Sequence, residues 1–169
     1  MIMFYGNADG YKAYHTARGR TIPTTLTDAQ IQSALLVASE WLDSRYGASF
    51  IGTKTDGYLQ ERCWPRKNAV VQDYPSYIFA DDEIPAQVTQ ATYEAALRQI
   101  NSADSLTTDY TPSKYKSVSV AGAVSVEYAT FDGAFSTQLQ IPIVDSLLSS
   151  LLNPDAEDFA NCSGGVARV

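Results

Sequence analysis

The chain has one histidine, His15, and two cysteines, Cys63 and Cys162. The cysteines lie far apart and form no CxxC pair, which argues against a disulfide framework and against a zinc site. A Ser-His-Asp or Cys-His catalytic arrangement would have to use His15. The sequence also lacks a GxSxG motif, a glycine-rich phosphate loop and an HExxH motif. We therefore expect no enzyme activity, no cofactor and no metal, and we interpret Cys63 as a small buried apolar residue.

Charged residues are scarce, at 18% of the chain, and the basic ones are in the minority. Twelve lysines and arginines accompany nineteen aspartates and glutamates, so the net charge is -7 at pH 7. A general duplex-DNA binder usually carries a basic face that neutralises phosphates, and this balance argues against one. An excess of acidic residues suits a surface along which DNA moves without being bound. Low charge with eleven tyrosines fits either a surface covered by partners or one rich in serine and threonine.

Long apolar runs are absent as well. No segment approaches the roughly 20 apolar residues needed to span a bilayer. The first residues lack the basic region and the long apolar region of a signal peptide. We therefore expect a protein in a reduced, cytoplasmic setting that is neither secreted by that route nor embedded in a membrane. With 45% hydrophobic residues in 169, the chain can form one domain with a substantial core.

Three segments have the apolar periodicity of helices; they cover about 28–46, 85–101 and 142–152. Thr27 and Gln30 predict a capping box before the first, and Gly47 predicts a left-handed residue after it. The second is apolar on more than one face, which predicts burial on two sides. The acidic run 81–83 before it suits the positive end of a helix. A shorter helix is predicted around Asp9–Arg18.

Alternating valine and serine on both sides of Gly122 predict a β-hairpin over Lys114–Tyr128. An isolated two-stranded hairpin is only marginally stable in water, so this one must pack against the rest of the domain or against a neighbouring molecule. The residues after Asn153-Pro154 lack a periodic pattern, and we expect residues 154–169 to be a flexible C-terminal tail.

The stretch Glu61-Arg62-Cys63-Trp64-Pro65-Arg66 lies in a long segment, 48–82, without sustained periodicity. It has two interpretations. Trp64, Pro65 and Arg66 can be a structural anchor that holds this segment on the core. Alternatively, Trp64 stacks on a nucleic-acid base while Arg62, Arg66 and Lys67 hold phosphates. We favour the anchor, because three basic residues and one tryptophan make a small nucleic-acid footprint.

Two more segments pose related questions. Tyr11, Tyr14 and Arg18 can likewise serve packing or nucleic-acid stacking, and we again favour packing. The tract Val70–Phe79 holds three aromatic residues and one isoleucine. It can be packed on the core or presented to a partner.

The order of these motifs resembles the head-to-tail adaptor, or neck, proteins of tailed bacteriophages, a family also described as DnaT-like single-stranded-DNA-binding proteins. The resemblance covers about residues 5–152. The matching pieces are Tyr5-Gly6 with Tyr11, Tyr14, Arg18 and Gly19; Trp41-Leu42-Asp43-Ser44-Arg45-Tyr46; Trp64-Pro65-Arg66; and Ile84-Pro85 followed by Val88 and Ala91-Thr92-Tyr93-Glu94-Ala95-Ala96.

The resemblance implies a mainly α fold: a small bundle of three main helices with a protruding hairpin (114–128), extended loops and a C-terminal tail. We expect an adaptor domain, 1–153, and the tail, 154–169, which matches no motif of the family. The resemblance also implies a homo-oligomeric ring of twelve copies beneath the phage portal protein, within the virion neck and assembled in the host cytoplasm. Such a ring extends the DNA channel, lets double-stranded DNA pass without specific binding, and provides a platform for the next neck or tail protein.

Two contacts are expected on this basis. The tail would reach clefts between portal subunits with its few apolar and basic anchors; these are Phe159, Val166, Arg168 and Val169. The hairpin would brace the neighbouring adaptor subunit; its residues are Val118, Val120, Val124, Val126 and Tyr128. The alternative function is that of a single-stranded-DNA-binding accessory protein of replication.

Overall fold

A computed structural model of the chain describes residues 3–71, 74–103, 105–107, 117–120, 124–127 and 141–153. The helices are α1 (Ala8–Ala17), α2 (Asp28–Tyr46), α3 (Ala86–Asn101) and α4 (Pro142–Leu148). The strands are β1 (Thr53–Lys54), β2 (Arg66–Lys67), β3 (Val70–Val71), β4 (Tyr74–Ile78), β5 (Ser117–Val120) and β6 (Val124–Glu127). Each sheet is an antiparallel pair: β1–β2, β3–β4 and β5–β6. The predicted mainly α fold with a hairpin is confirmed.

Helix α2 begins and ends where the sequence predicts. Thr27 and Gln30 form the capping box, and the apolar stripe is buried; it consists of Ile31, Ala34, Leu35, Ala38 and Leu42. The interpretation of Gly47 was wrong, because this residue keeps a right-handed conformation, with φ of -56°. Glycine is needed there for space, since a Cβ atom would lie 2.3 Å from the Asp43 carbonyl oxygen and 2.6 Å from the Cys63 sulfur.

Helix α3 lies at the centre of the bundle and packs against α1, α2 and α4. Every residue from Ala91 to Ala96 is buried, as burial on two sides predicts. Pro85 is the N-cap, and no side chain caps the helix. The acidic run 81–83 therefore ends before the first turn, and Glu83 instead accepts a hydrogen bond from the Ala80 amide at 3.3 Å.

The third predicted helix is α4 followed by a 3-10 turn, Ser149–Leu151. Val144, Leu148 and Leu151 are buried in the core. The end of this segment is tied to the residues after α2, because the Ile51 amide donates to the Leu151 carbonyl at 3.0 Å. The Asn153 amide donates to the Ser49 carbonyl at 2.7 Å. The bundle thus closes through main-chain bonds as well as apolar packing.

Residues 48–82 are more ordered than their lack of periodicity predicts, because two short strand pairs and a buried anchor organise them. Trp64 is completely buried, with its ring centroid 5.8 Å from that of Phe50 and 5.7 Å from that of Phe79. The Trp64–Pro65 peptide bond is cis. Arg66 is also buried. Its guanidinium donates to four backbone carbonyls; they belong to Ile51, Cys63, Phe50 and Gly52.

The valine–serine hairpin is present as predicted. Val118 pairs with Val126 and Val120 pairs with Val124, in an antiparallel register that runs over all four residues of each strand. Tyr128 and the tail 154–169 lie outside the described residues, so the tail and its boundary at 153 stay predictions.

Replacing Trp64 by alanine should lower the free energy of unfolding by about 3–5 kcal/mol, because the side chain fills the centre of an aromatic cluster. Chemical denaturation monitored by circular dichroism measures this loss. Tyr58→Ala is the matched control, since the Tyr58 side chain is fully exposed and its removal should change stability by less than about 0.5 kcal/mol. An unchanged denaturation midpoint for Trp64→Ala would reject the structural-anchor role.

Candidate interaction surface

The single histidine is buried in a polar cluster between α1 and α3. The Arg20 guanidinium lies 2.9 Å from His15 Nδ1, and a guanidinium can only donate, so Nδ1 accepts. The ring proton is therefore on Nε2, which donates to the Tyr93 carbonyl at 3.2 Å. Burial lowers the pKa of His15. With both nitrogens engaged and no exposed surface, His15 is a neutral packing residue rather than a general base.

Glu94 supplies the negative charge of this cluster. Its side chain is fully buried, and its oxygens lie 2.9 Å from Arg20 and 3.0 Å from Arg98. Burial by itself raises the pKa of Glu94, but hydrogen bonds from Arg20 and Arg98 and the Arg20 charge outweigh it, and the pKa falls below its usual value. Tyr14 donates a further hydrogen bond at 3.2 Å. The buried carboxylate is thus paired and structural.

The tyrosines of α1 serve packing. Tyr11 is fully buried and Tyr14 is 9% exposed; their rings lie edge-on to His15. Burial raises the pKa of Tyr11 to about 12. Arg18 is exposed, with its guanidinium carbon 3.4 Å from the centroid of the Tyr14 ring. A nucleic-acid base cannot stack on the ring of Tyr11 or Tyr14 in this arrangement. The Arg18 side chain remains accessible to solvent.

The Trp-Pro-Arg segment cannot bind nucleic acid in this conformation, because its tryptophan and arginine side chains are buried or paired. Trp64 and Arg66 are buried. Arg62 is 11% exposed and pairs with Asp43 at 3.3 Å and Glu40 at 3.6 Å. Only Lys67, among the four residues proposed to bind nucleic acid, is exposed. Base stacking on Trp64 would require the segment to leave the core.

Asp43 connects this segment to the N-terminal residues. Its carboxylate accepts from the Tyr5 hydroxyl at 2.6 Å and from the Cys63 amide at 3.2 Å. Burial raises the pKa of Asp43 despite these bonds. Burial also raises the pKa of the Cys63 thiol to about 11. A buried thiol that stays protonated is a poor nucleophile, which agrees with the packing role expected for Cys63.

The most conspicuous exposed apolar surface is on β3 and β4. We call it the tyrosine ridge; it consists of Val70, Tyr74, Tyr77 and Ile78. Tyr74 is 69% exposed and Ile78 is 60% exposed. Val70 and Ile78 are cross-strand partners. No third strand joins β3 and β4 among the described residues, so the ridge belongs to a two-stranded sheet with open edges.

Acidic residues flank the ridge. A groove of about 490 Å³ runs between β4 and the start of α3; Tyr74, Tyr77, Phe79, Glu83 and Gln87 line it. Asp81 and Asp82 are exposed in the turn that joins β4 to α3. This setting is apolar and negative, which suits a protein partner with apolar and basic residues and disfavours phosphates. The tract Val70–Phe79 therefore does both things left open by its sequence: Phe79 packs inward, whereas the ridge is presented.

A second exposed apolar pair lies on the 3-10 turn Gly57–Leu59. Tyr58 and Leu59 are 101% and 89% exposed. The periodicity of the sequence gives no signal for this turn. The neighbouring residues Asp56 and Glu61 are exposed acids, so this turn is also a poor phosphate site.

Of the two contacts expected from the resemblance, the structure describes only the hairpin backbone. The tail anchors Phe159, Val166, Arg168 and Val169 lie outside the described residues. Within the described part of the chain, no three His, Cys, Asp or Glu side chains are grouped to hold a metal ion. Among the described helices, none has the length and hydrophobicity that crossing a membrane requires.

The family model described as "Putative DnaT-like ssDNA binding protein" matches residues 5–168, which is nearly the whole chain. Neither the curated proteins nor the solved structures gave a match.

The buried His15 should make stability pH-dependent below about pH 6.5. Its pKa is lowered in the folded chain, so only the unfolded chain takes up the proton as the pH falls from 6.5 toward the folded pKa. Stability is therefore lost over that window, by up to about 1.4 kcal/mol per pH unit. His15→Gln should flatten the dependence in denaturation experiments between pH 7.5 and 5.5.

The wild type is the matched comparison for this slope. Asp43 is present in both proteins and lies outside the His15 cluster, so its titration cancels in the difference, whereas Glu94, whose pKa lies below its usual value, stays ionised over this pH range. The same slope in wild type and His15→Gln would show that His15 does not carry the effect.

Proposed function

We propose that this chain, which belongs to the family described as "Putative DnaT-like ssDNA binding protein", is a structural head-to-tail adaptor of a tailed phage. In this proposal, about twelve copies form a ring beneath the portal protein in the virion neck. The ring extends the channel through which double-stranded DNA passes and provides the platform for the next neck or tail protein. The chain performs no catalysis.

The tyrosine ridge with its acidic surroundings is the observation that supports this function. An exposed set of tyrosine, isoleucine and valine is typical of a protein interface. The acids beside it repel phosphates, and the net charge of -7 acts in the same direction. A channel protein benefits from that repulsion, because DNA has to move through the ring without being held.

Single-stranded-DNA binding is the second candidate, and the description of the family favours it directly. Exposed tyrosines can stack on bases without sequence preference, and Tyr58, Tyr74 and Tyr77 are accessible. A binding groove also needs cations that follow the phosphate backbone. Near the ridge, however, the exposed acids Asp81 and Asp82 outnumber the exposed cation Lys67, which precedes β3 in the sequence. We therefore rank the adaptor first.

Two measurements on the purified full chain separate the candidates. For an adaptor, single-particle mass measurements should detect rings when the portal protein of the same phage is added. Fluorescence anisotropy with an oligothymidylate should show weak binding near physiological salt, because few counterions are released. Sub-micromolar binding that weakens steeply with salt, together with no ring on the portal, would reject the adaptor and establish the second candidate.

The tail is proposed to hold the ring on the portal through Phe159, Val166, Arg168 and Val169. A chain that ends at Asn153 should still fold, because α1–α4 remain, as do the main-chain bonds from the Ile51 amide to the Leu151 carbonyl and from the Asn153 amide to the Ser49 carbonyl. It should fail to stay on portal-containing heads in sedimentation experiments. In infected cells in which the truncated chain is the only copy of this protein, DNA-filled heads without tails should accumulate.

A quadruple tail variant serves as the control, with Phe159, Val166, Arg168 and Val169 each replaced by serine in the full-length chain. It should reproduce the loss of attachment with unchanged thermal stability. Normal attachment of both proteins would show that the docking surface lies elsewhere.

A further inference from the structure

Two elements of this chain are incomplete as sheets. The pair β3–β4 carries the exposed ridge, and the pair β5–β6 forms a separate two-stranded sheet; neither has a third strand among the described residues. A two-stranded hairpin is marginally stable in water unless it packs on another surface. Strand edges and exposed apolar side chains are the usual means by which one sheet adds to another.

The charges next to the two pairs are complementary. Asp81, Asp82 and Glu83 directly follow the ridge, and the first two are exposed. Lys114 and Lys116 lie directly before β5 in the sequence, whereas β5 and β6 themselves contain a single charged residue, Glu127. A hairpin laid along the ridge would bring two cations to three anions, and such complementarity fixes the register of an interface.

We propose that the tyrosine ridge is the docking site for the β5–β6 hairpin of a second copy of this chain. The valine-rich hairpin covers Val70, Tyr74 and Ile78, and its lysines meet the acids of residues 81–83. Each copy then offers one hairpin and one ridge, so the contact is heterologous and head-to-tail, which generates a closed ring when the rotation closes. This inference rests on the proposed ring and specifies the contact between its subunits.

A charge-swap experiment with the full chain tests the pairing. Variant A carries Lys114→Glu and Lys116→Glu, and variant B carries Asp81→Lys and Asp82→Lys. The Asp81 carbonyl accepts from the Thr55 hydroxyl at 2.6 Å, and this bond survives in variant B because it uses the main chain. Each variant alone should lose self-association about tenfold or more, in solution or on portal rings, because like charges meet.

Mixing is the decisive step. In an equimolar mixture, the acidic hairpin of A fits the basic turn of B and the basic hairpin of B fits the acidic turn of A, so assembly should return. The chain with all four substitutions should also assemble. If the four-substitution chain is restored but the mixture is not, the hairpin docks on its own ridge and the inference is overturned.

Two matched controls use the 3-10 turn Gly57–Leu59. Asp56→Lys with Glu61→Lys makes the same charge change as variant B away from the ridge, and it should leave assembly unchanged. Tyr74→Ser with Ile78→Ser removes two exposed residues of the ridge and should weaken assembly. Tyr58→Ser with Leu59→Ser removes a similar pair outside it and should not.

Failure of the hairpin–ridge contact and failure of the proposed ring give different results. If wild type assembles and variants A and B assemble equally well, the ring stands and the hairpin–ridge contact is wrong. If wild type stays monomeric with and without the portal protein, the proposed function fails before any variant is made. If the ridge variant loses oligothymidylate binding but not assembly, the ridge is a stacking surface and the inference is overturned.

Discussion

The buried guanidinium of Arg66 is the constraint on which the segment after α2 depends. It donates to four carbonyls of the main chain, at 2.7–3.3 Å. A buried cation is costly unless its donors are satisfied, so these carbonyls must stay in place around it. They come from residues 50–52 and 63, which fixes both sides of a loop that has little regular structure of its own. Trp64 can then fill the space between Phe50 and Phe79.

The position of the ridge follows from that anchor. Phe79 packs on Trp64 at one side and on Tyr77 at the other, with ring centroids 5.7 and 5.1 Å apart respectively. The Phe79 amide also donates to the Ala69 carbonyl at 3.1 Å. These contacts attach β4 to the core and leave Tyr74 and Ile78 exposed. The Trp-Pro-Arg motif, for which the sequence left an anchor and a nucleic-acid element as alternatives, therefore supports an exposed surface without being part of it.

Local signals predicted much of the helical fold. The Thr27–Gln30 capping box and the stripe from Ile31 to Leu42 determine α2 through contacts within a few residues. The burial of α3 on two sides is visible in its composition. What could not be predicted depends on distant parts of the chain. His15 meets Tyr93, and Arg20 meets Glu94, 78 and 74 residues away in sequence. Gly47 is a mixed case, because a Cβ atom there would meet both the Asp43 carbonyl oxygen, four residues away, and the more distant Cys63 sulfur.

The arrangement of charge links the fold to the proposed function. Where the chain buries basic groups, it satisfies them internally: Arg66 with carbonyls, and Arg62 with Asp43 and Glu40. Arginines paired in this way are not available for phosphates. The chain has only twelve lysines and arginines in total, so this internal use matters. The acids at 81 and 82 and at 56 and 61, by contrast, are exposed. The described surface therefore combines exposed apolar residues with exposed acids, although Arg18 and Lys67 are also exposed; this excess of acids is what the proposed function uses, because it disfavours phosphates.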